Sequence, residues 1–171
     1  MTIVCSPIGI IYSPYGSPEG TPIQPVYSKG VQGRVEIFPD YRAGLADLEG
    51  FSHIHLIYFM HRVEGFSLTC TPFLDTRTHG IFATRAPRRP NPIGFSVVEL
   101  LGIDGGILTI GGVDIVDGTP LLDIKPYVPD FDVRLQVKTG WYEHAENRSQ
   151  VIADNRFVLT DKKKSDSDAD V

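Results

Sequence analysis

The chain has 171 residues, a net charge of −5, 42% apolar residues and two cysteines. That length holds one domain with a sizeable core, and the absence of an 18-residue apolar run excludes a membrane-spanning helix. The acidic balance argues against a generally basic nucleic-acid binder. Cys5 and Cys70 stand far apart without a C-x-x-C spacing, and the N-terminus lacks a basic region followed by a long apolar stretch. Both point to a reduced, cytoplasmic setting rather than to zinc, a disulfide framework or a signal peptide.

Taken in order, Ile8–Tyr12 reads as a first strand. A loop rich in Pro and Gly follows over residues 13–25, long enough to carry function. Gly33–Phe38 alternates Val35 and Ile37 against Arg34 and Glu36, a half-buried strand. Pro39–Gly50 reads as a short helix with Asp40 as N-cap and Leu45 and Leu48 three apart. Phe51–Val63 is the longest apolar strand, with apolar residues on both faces. His53 and His55 share one face in an H-x-H spacing, a metal pattern in barrels; two structural histidines bonded to backbone carbonyls are the better reading, because no acidic third ligand follows closely. His61 and Arg62 sit at this strand's end, where a barrel mouth holds ligands.

The stretch Gly80–Leu101 dominates the chain. Ile81–Thr84 reads as a strand end and Ile93–Leu101 as a buried strand. Between them, Arg85-Ala86-Pro87-Arg88-Arg89-Pro90-Asn91-Pro92 is a connector in which each proline fixes its own φ and restricts its predecessor. Three guanidiniums on a stiff rod suit carboxylates, phosphates and base faces. Asp104-Gly105 between apolar runs signals a hairpin, leading to a strand over Ile107–Val116. Gly111-Gly112 within it marks a bulge or a close approach. Asp114 and Asp117, with Gly118 and Thr119, form a polar lip before a last strand, Leu121–Tyr127. Trp141–Glu143 and Val151–Ile152 suit a helical segment packed on the barrel or on a partner. Residues 161–171, with three Lys and four Asp, read as a disordered tail. The expected organisation is thus a mostly β domain over residues 1–160, a single-sheet small closed barrel with one or two short helices.

TRAPRRPNPIGFSVVEL and DIVDGTPLLDIKPYVP, with IGIIYSPY and FSHIHLIYFMHR, resemble the TsaA-like β-barrel family over about residues 5–130. The resemblance implies an S-adenosylmethionine-dependent methyltransferase that methylates N6-threonylcarbamoyladenosine next to the anticodon of tRNA. It also implies a homodimer with cofactor near the interface. Cofactor contacts are implied at Pro22, Ile23 and Gln24, at His61, Arg62, Arg85 and Phe95, and at Asp114, Ile115, Val116, Asp117 and Gly118. Ile23 stands where members often carry Arg. Acceptor contacts are implied at Arg88, Arg89 and Asn91, and Arg85 and Asp117 are the expected catalytic pair. Some members carry an additional C-terminal domain with no clear counterpart in this sequence.

The chemistry fits that expectation. No G-x-G-x-x-G between strand and helix, no P-loop and no H-E-x-x-H is present. Methyl transfer from a sulfonium relies mainly on alignment. The N6 of a carbamoylated adenosine is a poor nucleophile until its proton is removed, so a base is useful, with Asp117 and Asp114 as candidates ahead of His61. The threonyl carboxylate calls for a guanidinium, from Arg85, Arg88 or Arg89. Other readings are open from the residues alone: the same chemistry on another RNA or a small molecule, a metal-dependent barrel enzyme using His53 and His55, and a non-catalytic barrel that binds RNA or a small ligand through the arginines.

Overall fold

The computed structural model describes residues 2–145, 152–154 and 157. The expected disordered tail and Val151 lie outside the described residues. The strands, in chain order, are β1 (Gly9–Tyr12), β2 (Gln32–Ile37), β3 (His53–Phe59), β4 (Thr69–Cys70), β5 (His79–Gly80), β6 (Ile93–Asp104), β7 (Ile107–Gly111) and β8 (Thr119–Pro126). Six of them close a barrel in the order β1-β2-β7-β6-β3-β8, every pair antiparallel. β4 and β5 form a separate two-stranded ribbon. The mostly β, closed-barrel expectation therefore holds. Among the described residues no helix is long and apolar enough to cross a membrane.

Alternation places Ile11, Val35, Ile37, Ile54, Leu56, Leu108, Ile110 and Leu121 inside, each essentially buried. Leu45 and Leu48 join this core from the segment between β2 and β3. That segment is two 3-10 turns, Pro39–Leu45 and Leu48–Gly50, rather than one helix capped by Asp40. Pro39 takes the first position, Phe38 is the N-cap, and Asp47 in the left-handed region breaks the run. Leu45 closes the first turn and Leu48 opens the second, so both reach the core although no single helix spans them.

Three further expectations are corrected. Ile81–Thr84 is not a strand end but a 3-10 turn, Ile81–Ala83, because the extended pairing stops at Gly80. β6 is not buried on both faces. Gly94, Ser96 and Val98 point inward, while Ile93 and Phe95 are exposed on the outer face. β7 is also shorter than expected and ends at Gly111, where Gly112 takes φ +73 and turns the chain. The hairpin between β6 and β7 forms as expected, with Gly105 and Gly106 as its loop.

The antiparallel order sends three of the connectors out of one end of the barrel. The end of β1, the start of β2, the ends of β3 and β7 and the starts of β6 and β8 meet there. Residues 13–31, 60–92 and 112–118 are those connectors. The opposite end carries the segment between β2 and β3, with its two 3-10 turns, and the two-residue hairpin. Loops on a rigid scaffold are where ligands are held.

Candidate functional site

β7 leaves β6 early. Their pairing runs from Glu99↔Gly111 to Asp104↔Ile107, so Ile93–Val98 have β3 on one edge and no β7 partner on the other. An uncovered edge must be met by something else. Here it opens on a cleft of about 1430 Å³, walled by Phe95 and Ser96 of β6, Pro22–Gln24 of the first long loop, Arg85 of the connector, and Asp114. That volume exceeds the ~300–1,000 Å³ typical of one small ligand, and leaves room for a second reactant.

Two cross-loop ties shape the cleft. Ser28 Oγ donates to Val113 O, and Ser13 Oγ donates to Ile115 O at 2.5 Å. Val113 and Ile115 are buried, which by alternation turns Asp114 and Val116 toward the cleft they both line. Asp114 Oδ1 accepts from Ser96 Oγ at 2.8 Å. Burial pushes its carboxyl up to about 7, with the Ser96 hydrogen bond drawing it part of the way back.

The three arginines do three different things, so the connector is not a uniform cationic rod. Arg85 is exposed on the cleft wall, and its Nη1 donates to Gln24 Oε1 at 2.5 Å. Arg89 turns back on its own loop: Nη1 donates to Thr84 O at 2.8 Å and to Ile81 O at 3.1 Å. It therefore satisfies carbonyls at the end of the Ile81–Ala83 turn, and it also borders the cleft. Arg88 is half-buried with its Nε lacking a hydrogen-bond partner. Asn91 is exposed, and its carbonyl accepts from Ile93 N at 2.7 Å. Neither Arg88 nor Asn91 is part of the cleft wall. We expect Arg89→Ala to cost about 1.5–3 kcal/mol of stability, as loss of charge-assisted bonds to carbonyls does. Urea denaturation checks this, and an unchanged midpoint would show the loop holds itself.

Pro22, Ile23, Gln24, Arg85, Phe95, Asp114 and Val116 are thus brought together, while His61, Arg62, Ile115, Asp117 and Gly118 are not part of the wall. Asp117 Oδ1 accepts from Ser13 N at 3.0 Å, and its own N–H goes to Tyr15 O at 2.8 Å. It ties the first long loop to the turn before β8. His61 Nδ1 lies 3.4 Å from Thr119 Oγ1, and desolvation, then Arg62, lowers its pKa.

His53 and His55 bond to side chains rather than backbone carbonyls. His53 Nδ1 lies 3.0 Å from Ser52 Oγ. His55 is buried on the barrel's outside, stacked on Phe95 and 3.1 Å from Asp132 of the short helix α1 (Pro129–Asp132). No group of three His, Cys, Asp or Glu that could hold a metal ion occurs among the described residues.

Several residues of the wall were not among the expected site residues. Trp141 lines the cleft, stacks on His79 at 5.0 Å and donates from Nε1 to Ala83 O at 2.8 Å. His79 is held in turn by Asp75 at 2.9 Å. Backbone bonds from Arg77, then the His79 ring, keep the Asp75 carboxyl well below its usual range. The Trp141–Glu143 segment is a 3-10 turn packed on the connector. Ile152 bridges to Pro22, closing the other side of the first long loop. Tyr58 and Gly94 line the cleft's floor beside Ser96.

Comparison with known proteins follows the same region. The family model of the tRNA-methyltransferase O N-terminal domain matches residues 10–133. A probable S-adenosyl-L-methionine-binding protein of Pyrococcus abyssi is 52% identical over 155 residues, covering 91% of this chain and 84% of that protein. The human tRNA (adenine(37)-N6)-methyltransferase is 35% identical over 137 residues, covering 76% of this chain and 31% of that protein. Among solved structures, TrmO from Pseudomonas aeruginosa aligns with a TM-score of 0.70 at 38% identity, covering 82% of this chain and 63% of the other. The chain thus spans less than two thirds of the solved TrmO and under a third of the human protein.

Proposed function

The chain belongs to the tRNA-methyltransferase O N-terminal domain family, and from that premise we propose that it is an S-adenosylmethionine-dependent methyltransferase of tRNA. Its acceptor is N6 of the adenosine next to the anticodon, in the threonylcarbamoyl form. The observation that carries this reading is the placement of Arg85 and Asp114 on the wall of one cleft, at the uncovered edge of β6.

The residues present fit such a cofactor. It is a zwitterion with an added sulfonium charge and an adenine. Asp114 would meet positive charge, the Arg85 guanidinium would meet a carboxylate, and Phe95 and Trp141 offer apolar faces to a base. When bound, the cofactor supplies an activated methyl group. The chain's own residues hold the reactants aligned and screen them from water. Gln24 fixes Arg85 at the wall, so the guanidinium is pre-set for a carboxylate, either the cofactor's or the threonyl group's. With a net charge of −5 the contact with tRNA is local, around this cleft.

The same outer surface supports a homodimer. Phe59, Ile93 and Phe95 are 41%, 47% and 46% exposed side by side on β3 and β6. An apolar group of this kind on a strand face is suited to a second copy. A cytoplasmic location follows from the tRNA acceptor.

The test is methyl transfer to two tRNAs that differ only in the threonylcarbamoyl group, read by mass analysis of the released nucleosides. Methylation of the modified tRNA alone is expected. Methylation of neither, by protein that binds the cofactor, would point to another acceptor.

A further inference from the structure

A hydrogen-bonded line lies under the cleft floor, running from β3 through β6 to Asp114. Tyr58 of β3 and Gly94 of β6 are register partners. A Cβ added at Gly94 would lie 2.0 Å from the Tyr58 ring. The ring therefore fills the space a side chain would need, which lets the phenol lie along β6 and reach the next inward residue. Tyr58 OH is 3.1 Å from Ser96 Oγ, and Ser96 Oγ donates to Asp114 Oδ1 at 2.8 Å. A serine hydroxyl has one proton, and this one is committed to Asp114. The phenol must then be the donor to Ser96, so the line has a fixed direction, Tyr58 to Ser96 to Asp114.

All three members of the line border the cleft, Tyr58 and Ser96 buried and Asp114 half-buried. Burial, then the neighbouring Asp114, raises the Tyr58 pKa, so the phenol keeps its proton. Arg85 is the charged group that bears on both Tyr58 and Asp114, from the connector across the cleft. Asp117, by contrast, has its carboxylate engaged by the Ser13 N–H and is not part of the cleft wall.

Resting on the methyltransferase reading above, we propose that Asp114 is the base that takes the proton from the acceptor nitrogen, with Ser96, Tyr58 and Gly94 as its positioning residues. A carboxyl that titrates near neutrality is matched to this task. The N–H bond of the acceptor breaks and its proton passes to the Asp114 carboxylate. The nitrogen keeps the electron pair and forms the bond to the methyl carbon. The sulfur–methyl bond breaks with its pair left on sulfur, and Asp114 returns its proton to water once the product leaves. The line from Tyr58 fixes where the carboxyl points and keeps Ser96 from turning its proton elsewhere.

The test compares wild type, Asp114→Asn and Ser96→Ala at saturating tRNA, by single-turnover rate across pH and by calorimetric affinity for S-adenosylmethionine. The wild-type rate should rise with pH through a midpoint near neutrality. At saturating cofactor, Asp114→Asn should transfer methyl roughly 100- to 1,000-fold more slowly and without that rise, a loss well beyond any weakening of its affinity for S-adenosylmethionine. Ser96→Ala removes a bond that favours the carboxylate, so its midpoint should move up by about one pH unit. Stability gives a readout independent of activity. The folded state holds the Asp114 proton more tightly than the unfolded chain, so wild-type stability should fall as pH rises from about 4 to about 7, a decline Asp114→Asn lacks. An Asp114→Asn rate close to wild type overturns the proposal. So does a loss of rate that merely tracks lost cofactor affinity, or a Ser96→Ala profile that superimposes on wild type. If Asp114→Asn does not fold, the Ser96→Ala midpoint decides. A wild type that methylates no tRNA overturns the methyltransferase reading itself, which is a separate failure.

Discussion

Replacing Arg85 by alanine should lower methyl transfer by about 100- to 1,000-fold, as removal of one pre-set donor at a reacting centre does. The same change should leave stability within about 0.5 kcal/mol of wild type, as for other exposed side chains. The contrast rests on where the guanidinium goes. Arg85 has a side-chain partner, Gln24, and otherwise stands exposed at the cleft, whereas Arg89 holds the carbonyls of its own loop. Arg85→Lys should recover only part of the rate, because an ammonium cannot grip a carboxylate with two parallel N–H donors. Gln24→Ala should behave as a weaker version of the same change, since it frees the guanidinium to swing. Equal loss of activity and stability in Arg85→Ala would make this arginine structural.

The second large effect is expected at Gly94. Alanine there places a methyl group 2.0 Å from the Tyr58 ring, a distance no pair of carbon atoms tolerates. The ring is in the barrel core and opposed by its own strand partner, so relief requires a shift of β3 or β6. Over-packing of this kind costs about 1–3 kcal/mol. The ring that moves is also the donor to Ser96, so activity should fall with stability. Tyr58→Leu in the same chain removes the clashing atoms. The double variant should then be more stable than the sum of the two single losses predicts, by about 1–3 kcal/mol of coupling. Thermal unfolding of the four proteins in the cycle measures this. Additive losses would mean that the ring has room to move without consequence.

The barrel was legible because period-two alternation is a local property. Val35 and Ile37 against Arg34 and Glu36 read as a half-buried strand, and they form one. Ile81–Thr84 failed for the opposite reason. A four-residue apolar run has no period that separates a strand from a turn, and the Arg89 guanidinium that bonds to the turn's carbonyls stands several residues on. β6 misled because its outer residues are apolar too. Ile93 and Phe95 look like core residues in sequence, but the barrel leaves them exposed. The polar lip was legible as a lip. Which of its two aspartates faces the cleft was not, since that depends on the burial of Val113 and Ile115 and on the serine ties from the first long loop. Gly94 was visible in principle. A glycine inside a strand marks a close approach, a rule that the sequence reading applied to Gly111-Gly112 and not here. Trp141 could not be placed, because its partners His79 and Ala83 are brought to it only by the fold.

The most direct measurement is calorimetric titration of S-adenosylmethionine into the wild type, Arg85→Ala and Arg34→Ala. Arg34 is a control cation on β2 that stacks over Tyr12 and takes no part in the cleft. Saturable binding at one site per chain is predicted for wild type and for Arg34→Ala, with affinity at least tenfold weaker in Arg85→Ala. No binding by folded wild type, alone or with tRNA present, would contradict the account, as would binding that Arg85→Ala leaves unchanged.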